Sequence, residues 1–240
     1  MRPGADMILE TNDVTGWYAK NAPVIREVNL NIEAGTVYAL LGANGAGKTT
    51  LLNILASIHG QYSGEIRYCG ERLTGTREKR VKRYRYFIPD HPALFDEMSP
   101  FAFMDFVHRL YGKTLDSARL AKLCETFGFD SFLHRKIGAL SLGNRQKTAL
   151  ITGLLLQCPL LILDEPLVGL DAVAIERFYG ELRDYAERGN AVLLSTHLFP
   201  IVGRICDKAL ILHQGTIRET VAVDGEESAK EAFFRVIGHE

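Results

Sequence analysis

Long apolar runs are missing from this sequence: even around Ala149 to Leu156 nothing approaches the roughly 18 consecutive apolar residues of a membrane span, so no segment is expected to cross a bilayer. Cysteine is sparse. Cys69, Cys124, Cys158 and Cys206 lie far apart, without a CxxC pair or a His at zinc-finger spacing, which argues against a disulfide framework and a structural zinc site and reads as reduced thiols of a cytosolic protein. Charge of one sign is not in excess either. Lys and Arg number 28 against 29 Asp and Glu, a net −1, so no global field draws the chain to nucleic acid or an anionic bilayer, and any such contact must come from a local patch. The stretch Met1 to Glu10 carries one Arg, then Pro, Gly and Asp, and no apolar run of signal-peptide length, so a soluble chain without a leader is expected. There is no internal repeat and no low-complexity segment.

What is present is globular material. Apolar residues make up 47% and charged residues 24%, which excludes disordered, collagen-like and coiled-coil chains. At about 150 residues per domain, a chain of 240 is expected to be one compact domain with lobes. Ile8 to Leu9, Val28 to Ile32 and Ile66 to Tyr68 sit in short segments bounded by Asn, Asp and Gly and read as an antiparallel sheet near the N-terminus. Val37 to Leu41, Leu160 to Leu163, Ala191 to Leu194 and Ala209 to Leu212 are near-continuous apolar runs, as expected of strands covered on both faces by helices. An α/β core follows.

A helical stretch is expected over Ser99 to Leu156. Ser99 can cap, Pro100 suits the first helical position, and Phe103, Phe106, Val107 and Leu110 fall at helical spacing before Tyr111 and Gly112 stop the helix. A second helix is expected after Asp116 with Leu120, Leu123 and Phe127 inward, and Glu226 to Val236 reads as a short amphipathic helix.

Gly42-Ala43-Asn44-Gly45-Ala46-Gly47-Lys48-Thr49 satisfies G-x4-G-K-[ST] in the right setting, with the apolar strand Val37 to Leu41 before it and a helix carrying Leu51, Ile54, Leu55 and Ile58 after it. Glycines let the backbone wrap around a polyphosphate with successive N–H groups aimed inward, and the following helix adds its positive end. Lys48 can then reach the outer phosphates as a point charge, and the Thr49 hydroxyl can hold Mg²⁺. Thr50 follows in the same turn.

Leu160-Leu161-Ile162-Leu163-Asp164-Glu165-Pro166 places two carboxylates at the C-terminal end of a buried strand, the edge of an open α/β sheet where ligands sit. Adjacent buried carboxylates are costly without a cation, so Asp164 is expected to approach Mg²⁺ held by Thr49. Glu165 is then free for proton chemistry on an attacking water.

Leu140-Ser141-Leu142-Gly143-Asn144-Arg145-Gln146 resembles the signature motif of ATP-binding cassette (ABC) ATPases, usually L-S-G-G-Q, and the resemblance extends over almost the whole chain. Tyr18 stands where that family has an aromatic that stacks on adenine. Val168-Gly169-Leu170-Asp171 resembles its D-loop, and His197 in Ser195-Thr196-His197 its switch histidine. The resemblance implies a P-loop NTPase core of mostly parallel sheet, an N-terminal antiparallel β-subdomain and a helical insert carrying the signature. A single nucleotide-binding domain, 1–240, would divide into 1–97 and 158–225 as β-subdomain and core, 98–157 as helical subdomain and 226–240 as C-terminal helix.

The resemblance also implies a mechanism. Ser141 is a good helix cap, so with Gly143 and Asn144 it would present N–H groups to an anion. In the family that anion is the nucleotide on the phosphate loop of a second copy, so two chains sandwich two ATP head to tail. The chain would thus be the ATP-hydrolysing subunit of a transporter, paired with an identical or paralogous ATPase and bound to integral membrane permease subunits at the cytoplasmic face of the membrane. Phe87-Ile88-Pro89-Asp90 puts Asp90 where the family has a Gln that reaches Mg²⁺ and water. Leu142 and Asn144 replace a Gly and a Gln of the signature. The L-S-L-G form and the acidic Q-loop resemble the subfamily serving type-2 exporters. Asp90 to Phe95 and the aromatic helix Phe101 to Tyr111 occupy the place where a permease docks; about half of those aromatics are expected in the core and the rest exposed.

An opposing class is a soluble cassette ATPase acting on nucleic acid or in cofactor assembly. Arg77, Lys79, Arg80, Lys82, Arg83 and Arg85 form a basic run, but with only Tyr84 and Tyr86 interleaved and a net charge of −1 it reads as a solvated face, and no nucleic acid is expected.

Overall fold

The structure is a computed structural model that describes residues 7–19, 22–74 and 78–238. Its strands are β1 (Met7–Ala19), β2 (Ala22–Glu33), β3 (Val37–Leu41), β4 (Tyr62–Tyr68), β5 (Glu71–Arg72), β6 (Arg85–Ile88), β7 (Leu160–Asp164), β8 (Ala191–Ser195), β9 (Lys208–His213) and β10 (Thr216–Ala222). Its helices are α1 (Lys48–Leu55), α2 (Glu78–Val81), α3 (Pro100–Leu110), α4 (Ser117–Phe127), α5 (Leu142–Leu156), α6 (Ala172–Glu187), α7 (Phe199–Ile205) and α8 (Glu226–Ile237).

Two sheets form. The order β2-β1-β4-β5 is antiparallel throughout. The order β10-β9-β3-β8-β7-β6 is parallel except for the β9–β10 hairpin. The apolar runs become strands that are buried end to end in β3, β7 and β8, because α1 and the antiparallel sheet cover one face of that sheet and helices cover the other. One core lies between the two sheets around α1, with Leu51, Leu52, Ile54 and Leu55 inside it. The other joins the far face of the parallel sheet to α3, α4, α5 and α6. Asp116 caps α4 by accepting from the N–H groups of Ala118 and Arg119, and Leu120, Leu123 and Phe127 are buried as expected.

In α3, Phe103, Met104, Val107 and His108 face inward, while Phe106 and Leu110 are 38% and 59% exposed. His108 can be buried because its Nδ1 bonds the Met104 carbonyl oxygen at 2.7 Å. Two expectations about other residues are corrected. Ile58 is exposed, since α1 ends at Leu55 and Ser57 takes a left-handed φ of 58°. Arg85 is not on a solvated face. It is buried at the start of β6, stacked 4.6 Å over the Tyr68 ring and donating to the carbonyls of Val81 and Ala56 and to Ser57 Oγ. Arg80 of the same run is bonded to Glu71, and Arg77 lies outside the described residues.

Candidate active site

The parallel sheet brings the chemistry to one edge. Strand β8 lies between β3 and β7, and its Ser195 is level with Leu40 on one side and Asp164 on the other, so the loop leaving β3 and the acidic end of β7 emerge together. Between them is a cavity of about 410 Å³ lined by Asn44, Gly45, Gly47, Lys48, Thr49 and Thr50 of the loop and α1, by Asp164 and Glu165, and by Val24 of β2. Gly47, with φ of 105°, sits at the N-terminal end of α1, where only a residue without Cβ turns at low cost.

Thr49 Oγ1 donates to Asp164 Oδ2 at 2.9 Å, and Ser195 Oγ donates to Asp164 Oδ1. The N–H of Glu165 donates to Ser195 Oγ at 3.1 Å and to the Ser195 carbonyl at 3.2 Å. Glu165 itself is held at φ 44°, a left-handed conformation that a side chain with Cβ seldom adopts and that is sustained here by those two bonds. Its Oε1 lies 3.0 Å from His197 Nδ1. Lys48 Nζ donates to the carbonyls of Gly42 at 2.7 Å and Ala43 at 3.2 Å. Burial pushes its ammonium below the ordinary lysine value, against the pull of Glu165 and Asp164, so the cation sits at a partly desolvated spot where it acts strongly on an anion.

Tyr18 is 58% exposed at the lip, its hydroxyl 3.4 Å from Thr50 Oγ1 and its ring 4.5 Å from that of His59. Gly42 and Ala46 stand behind the loop rather than in the cavity wall, their carbonyls accepting from Lys48 and from the N–H of Gly215. Asp90 is not brought to the Thr49–Asp164 pair: its carboxylate accepts the N–H of His91 at 2.8 Å and lies 3.0 Å from that imidazole.

The signature residues stand apart from this cavity. Ser141 caps α5, its Oγ accepting the Asn144 N–H at 3.4 Å, and is itself exposed. A Cβ on Gly143 would lie 2.2 Å from the Gly169 carbonyl oxygen, so this glycine lets the signature turn lie directly on the D-loop. Asp171 caps α6 by accepting the Ala174 N–H at 2.8 Å, and Lys147 lies 3.6 Å from its carboxylate.

Two residues of this architecture escape a motif search. Ser195 orients Asp164 and Glu165 together. Its signal is a hydroxyl ending an otherwise apolar strand. Buried Gln146 donates from Nε2 to the Pro166 carbonyl at 2.9 Å and so ties the signature helix to the loop after β7. Burial raises the thiols of Cys124 to about 11 and Cys158 to about 12, so these two stay protonated at neutral pH.

Residues 25–168 match the ABC transporter family. The chain is 46% identical, over 97% of its length and 99% of the relative's, to the putative ABC transporter ATP-binding protein AlbC of Bacillus subtilis strain 168. It is 29% identical to the lantibiotic transport ATP-binding protein SrtF of Streptococcus pyogenes, over 94% of this chain and 96% of that one. Among solved structures, the ATP-binding subunit of an ABC transporter superposes with a TM-score of 0.84 at 28% identity, over 96% of this chain and 93% of that one. A dimeric ATP-binding cassette in a post-hydrolysis state, bound to ADP and Pi, shares the fold at a TM-score of 0.80 and 21% identity, over 91% of this chain and 100% of that one. With a phosphate loop, a paired carboxylate strand end and a capped signature helix all in place, the chain belongs to the ABC transporter family, as an ATP-binding, ATP-hydrolysing subunit.

Proposed function

We propose that two copies of this chain close head to tail over two ATP, and that closing and reopening move membrane permease subunits between inward and outward access. The observation that carries this reading is the bonded series Thr49–Asp164–Ser195–Glu165–His197 facing the phosphate loop, with the capped signature end standing elsewhere on the same chain. ATP lies with its adenine against Tyr18 and its phosphates in the N–H groups of Asn44 to Thr50, and Lys48 leaves the loop carbonyls for the outer phosphates. Ser141, Gly143 and Asn144 of the second copy approach the γ-phosphate with a helix N-terminus, and Asp171 caps the helix that follows the D-loop. Glu165 Oε accepts the proton of the attacking water while His197 fixes its orientation.

Thr49 Oγ1 and Asp164 Oδ2 are hard oxygen donors side by side, the donor chemistry of Mg²⁺, and among the described residues no trio of His, Cys, Asp or Glu forms a softer metal site. When bound there, Mg²⁺ neutralises phosphate charge. Asp90 is left out of that donor set, because its carboxylate is engaged with His91.

The same reading treats 1–240 as one nucleotide-binding domain with a helical subdomain at 98–157, whose helices α3, α4 and α5 share a core with the parallel sheet. No described helix is long and apolar enough to cross a membrane, and we place the chain at the cytoplasmic face through its permease. Phe95, Phe101, Phe106 and Leu110 are 54%, 38%, 38% and 59% exposed, with the rings of Phe95 and Phe106 in edge contact at 5.9 Å, and this is the surface offered to that permease. The direction we propose is export of the type-2 kind, on the L-S-L-G form of the signature and the acidic residue Asp90 in the Q-loop.

The test is fractionation from the native membrane. Phe106→Ser/Leu110→Ser, which alters exposed side chains only, should leave ATP binding intact and release the chain from membranes. Release of the unaltered chain by salt alone, or its stimulation by DNA or RNA, would oppose the reading.

A further inference from the structure

A second cavity, of about 510 Å³, lies beside the nucleotide cavity and shares Val24 and Gly45 with it as a common wall. Strand β2 brings Arg26 to it and β10 brings Arg218, although these strands belong to different sheets. Its floor is the β9–β10 turn, where Gln214 and Gly215 have φ of 47° and 81°, the left-handed pair of a tight hairpin. Only glycine fits at the second position, since a Cβ there would lie 2.1 Å from the Val24 carbonyl oxygen. The Gly215 carbonyl accepts the Arg26 N–H at 2.8 Å, and the Gly215 N–H donates to the Ala46 carbonyl at 3.0 Å. The floor of this cavity is thereby fastened to the back of the phosphate loop.

The charge pattern is what singles the cavity out. Arg67, Arg80, Arg183, Arg204 and Arg235 each pair with a carboxylate elsewhere on the surface. Arg26 and Arg218 face one cavity with no carboxylate in its wall, and among the described residues neither guanidinium forms an ion pair or side-chain hydrogen bond. Two arginines on the wall of one cavity, both exposed, place positive charge there that an anion would neutralise, and their planar donor forks match the oxygens of a phosphate.

We propose that this cavity binds a phosphate-bearing anion between Arg26 and Arg218, distinct from the ATP on the phosphate loop. Through Gly215 and Ala46, its occupancy steadies the loop that grips ATP. The inference does not depend on the dimer mechanism above.

The experiment measures binding by calorimetry with inorganic pyrophosphate and with ADP as probes, on the full chain carrying Lys48→Ala so that the phosphate loop no longer dominates. Binding should persist in Lys48→Ala and weaken at least about tenfold when Arg26→Gln/Arg218→Gln is added, a loss of about 1.4 kcal/mol or more for the pair. Adding Lys122→Gln/Arg188→Gln instead, which removes the same charge from other exposed positions, should leave it unchanged. Equal affinity for the two probes assigns an inorganic anion, and tighter ADP assigns a nucleotide; both support the site. Loss of binding in Lys48→Ala, survival in Arg26→Gln/Arg218→Gln, or an equal loss in the charge control would each overturn it.

Discussion

At the phosphate-loop end of the molecule, Thr49, Asp164, Ser195, Glu165 and His197 are joined by hydrogen bonds within a single chain around one cavity. At the N-terminus of α5, by contrast, Ser141 is exposed, its hydroxyl accepts the N–H of Asn144 within its own turn, and it takes no part in the wall of that cavity. In the first region the polar groups satisfy one another. The second is a helix end prepared for an anion and presented outward. Under the mechanism we propose, the difference means that one chain supplies the grip on the phosphates and the proton acceptor, while the face that closes over the γ-phosphate arrives from another molecule. The two ends are joined within the chain by the close approach of Gly143 to Gly169 and by the Gln146–Pro166 bond.

The largest expected effect breaks the first region alone. Glu165→Gln should lower steady-state ATPase by about 10²- to 10⁴-fold, the usual contribution of a positioned general base, while leaving ATP binding and closure intact. Asp90→Gln should retain at least some of the rate, because Asp90 faces His91 rather than the cavity. Equal losses in the two variants would contradict these roles.

A middle effect sharpens the comparison by loosening the first region without removing its chemistry. Ser195→Ala takes the shared donor from Asp164 and the acceptor from the Glu165 N–H, and should cost about 1–3 kcal/mol in denaturant unfolding. It should lower kcat less than Glu165→Gln does.

The smallest effect lies on the outward-facing side. The Ala174 N–H, followed by Lys147, holds the Asp171 carboxyl below its ordinary value of 3.8. Because the native carboxyl releases its proton more readily than the unfolded one, this stabilisation is complete above that ordinary value and fades as pH falls through the lowered native value. Asp171→Ala should therefore cost about 1 kcal/mol at neutral pH, as loss of an N-cap does, and the difference in Tm from the parent should vanish in acid.

Legibility in the sequence followed burial. Strands β3, β7, β8 and β9 were readable as apolar runs because both their faces are covered. β6 and β10 were not, and they are the two edges of that sheet, where half-covered strands carry Arg85, Thr216, Arg218, Glu219 and Thr220 among their apolar residues. The burial of His108 in α3 was not readable, because it rests on a bond to its own helix that apolar spacing does not show. Arg85 was read as solvated from its charge, whereas stacking on Tyr68 and carbonyl partners keep it inside. In the site, Lys48, Thr49, Asp164 and Glu165 were legible because their spacing is dictated by phosphate geometry. Ser195 was not, because its role comes from the strand order β3-β8-β7, which places it beside Asp164 only after the sheet has formed.

The central claim is that each nucleotide is gripped by the phosphate loop of one chain and the signature end of another, and complementation tests it most directly. Lys48→Ala and Ser141→Arg should each be inactive alone. Mixed in equal amounts, they form pairs in which one site has both faults and the other has neither, so the mixture should recover ATPase, to about a quarter of the parent rate for independent sites in a two-fold pair. A mixture as inactive as its parts, or a parent whose specific activity stays constant on dilution through the monomer range, would contradict the account.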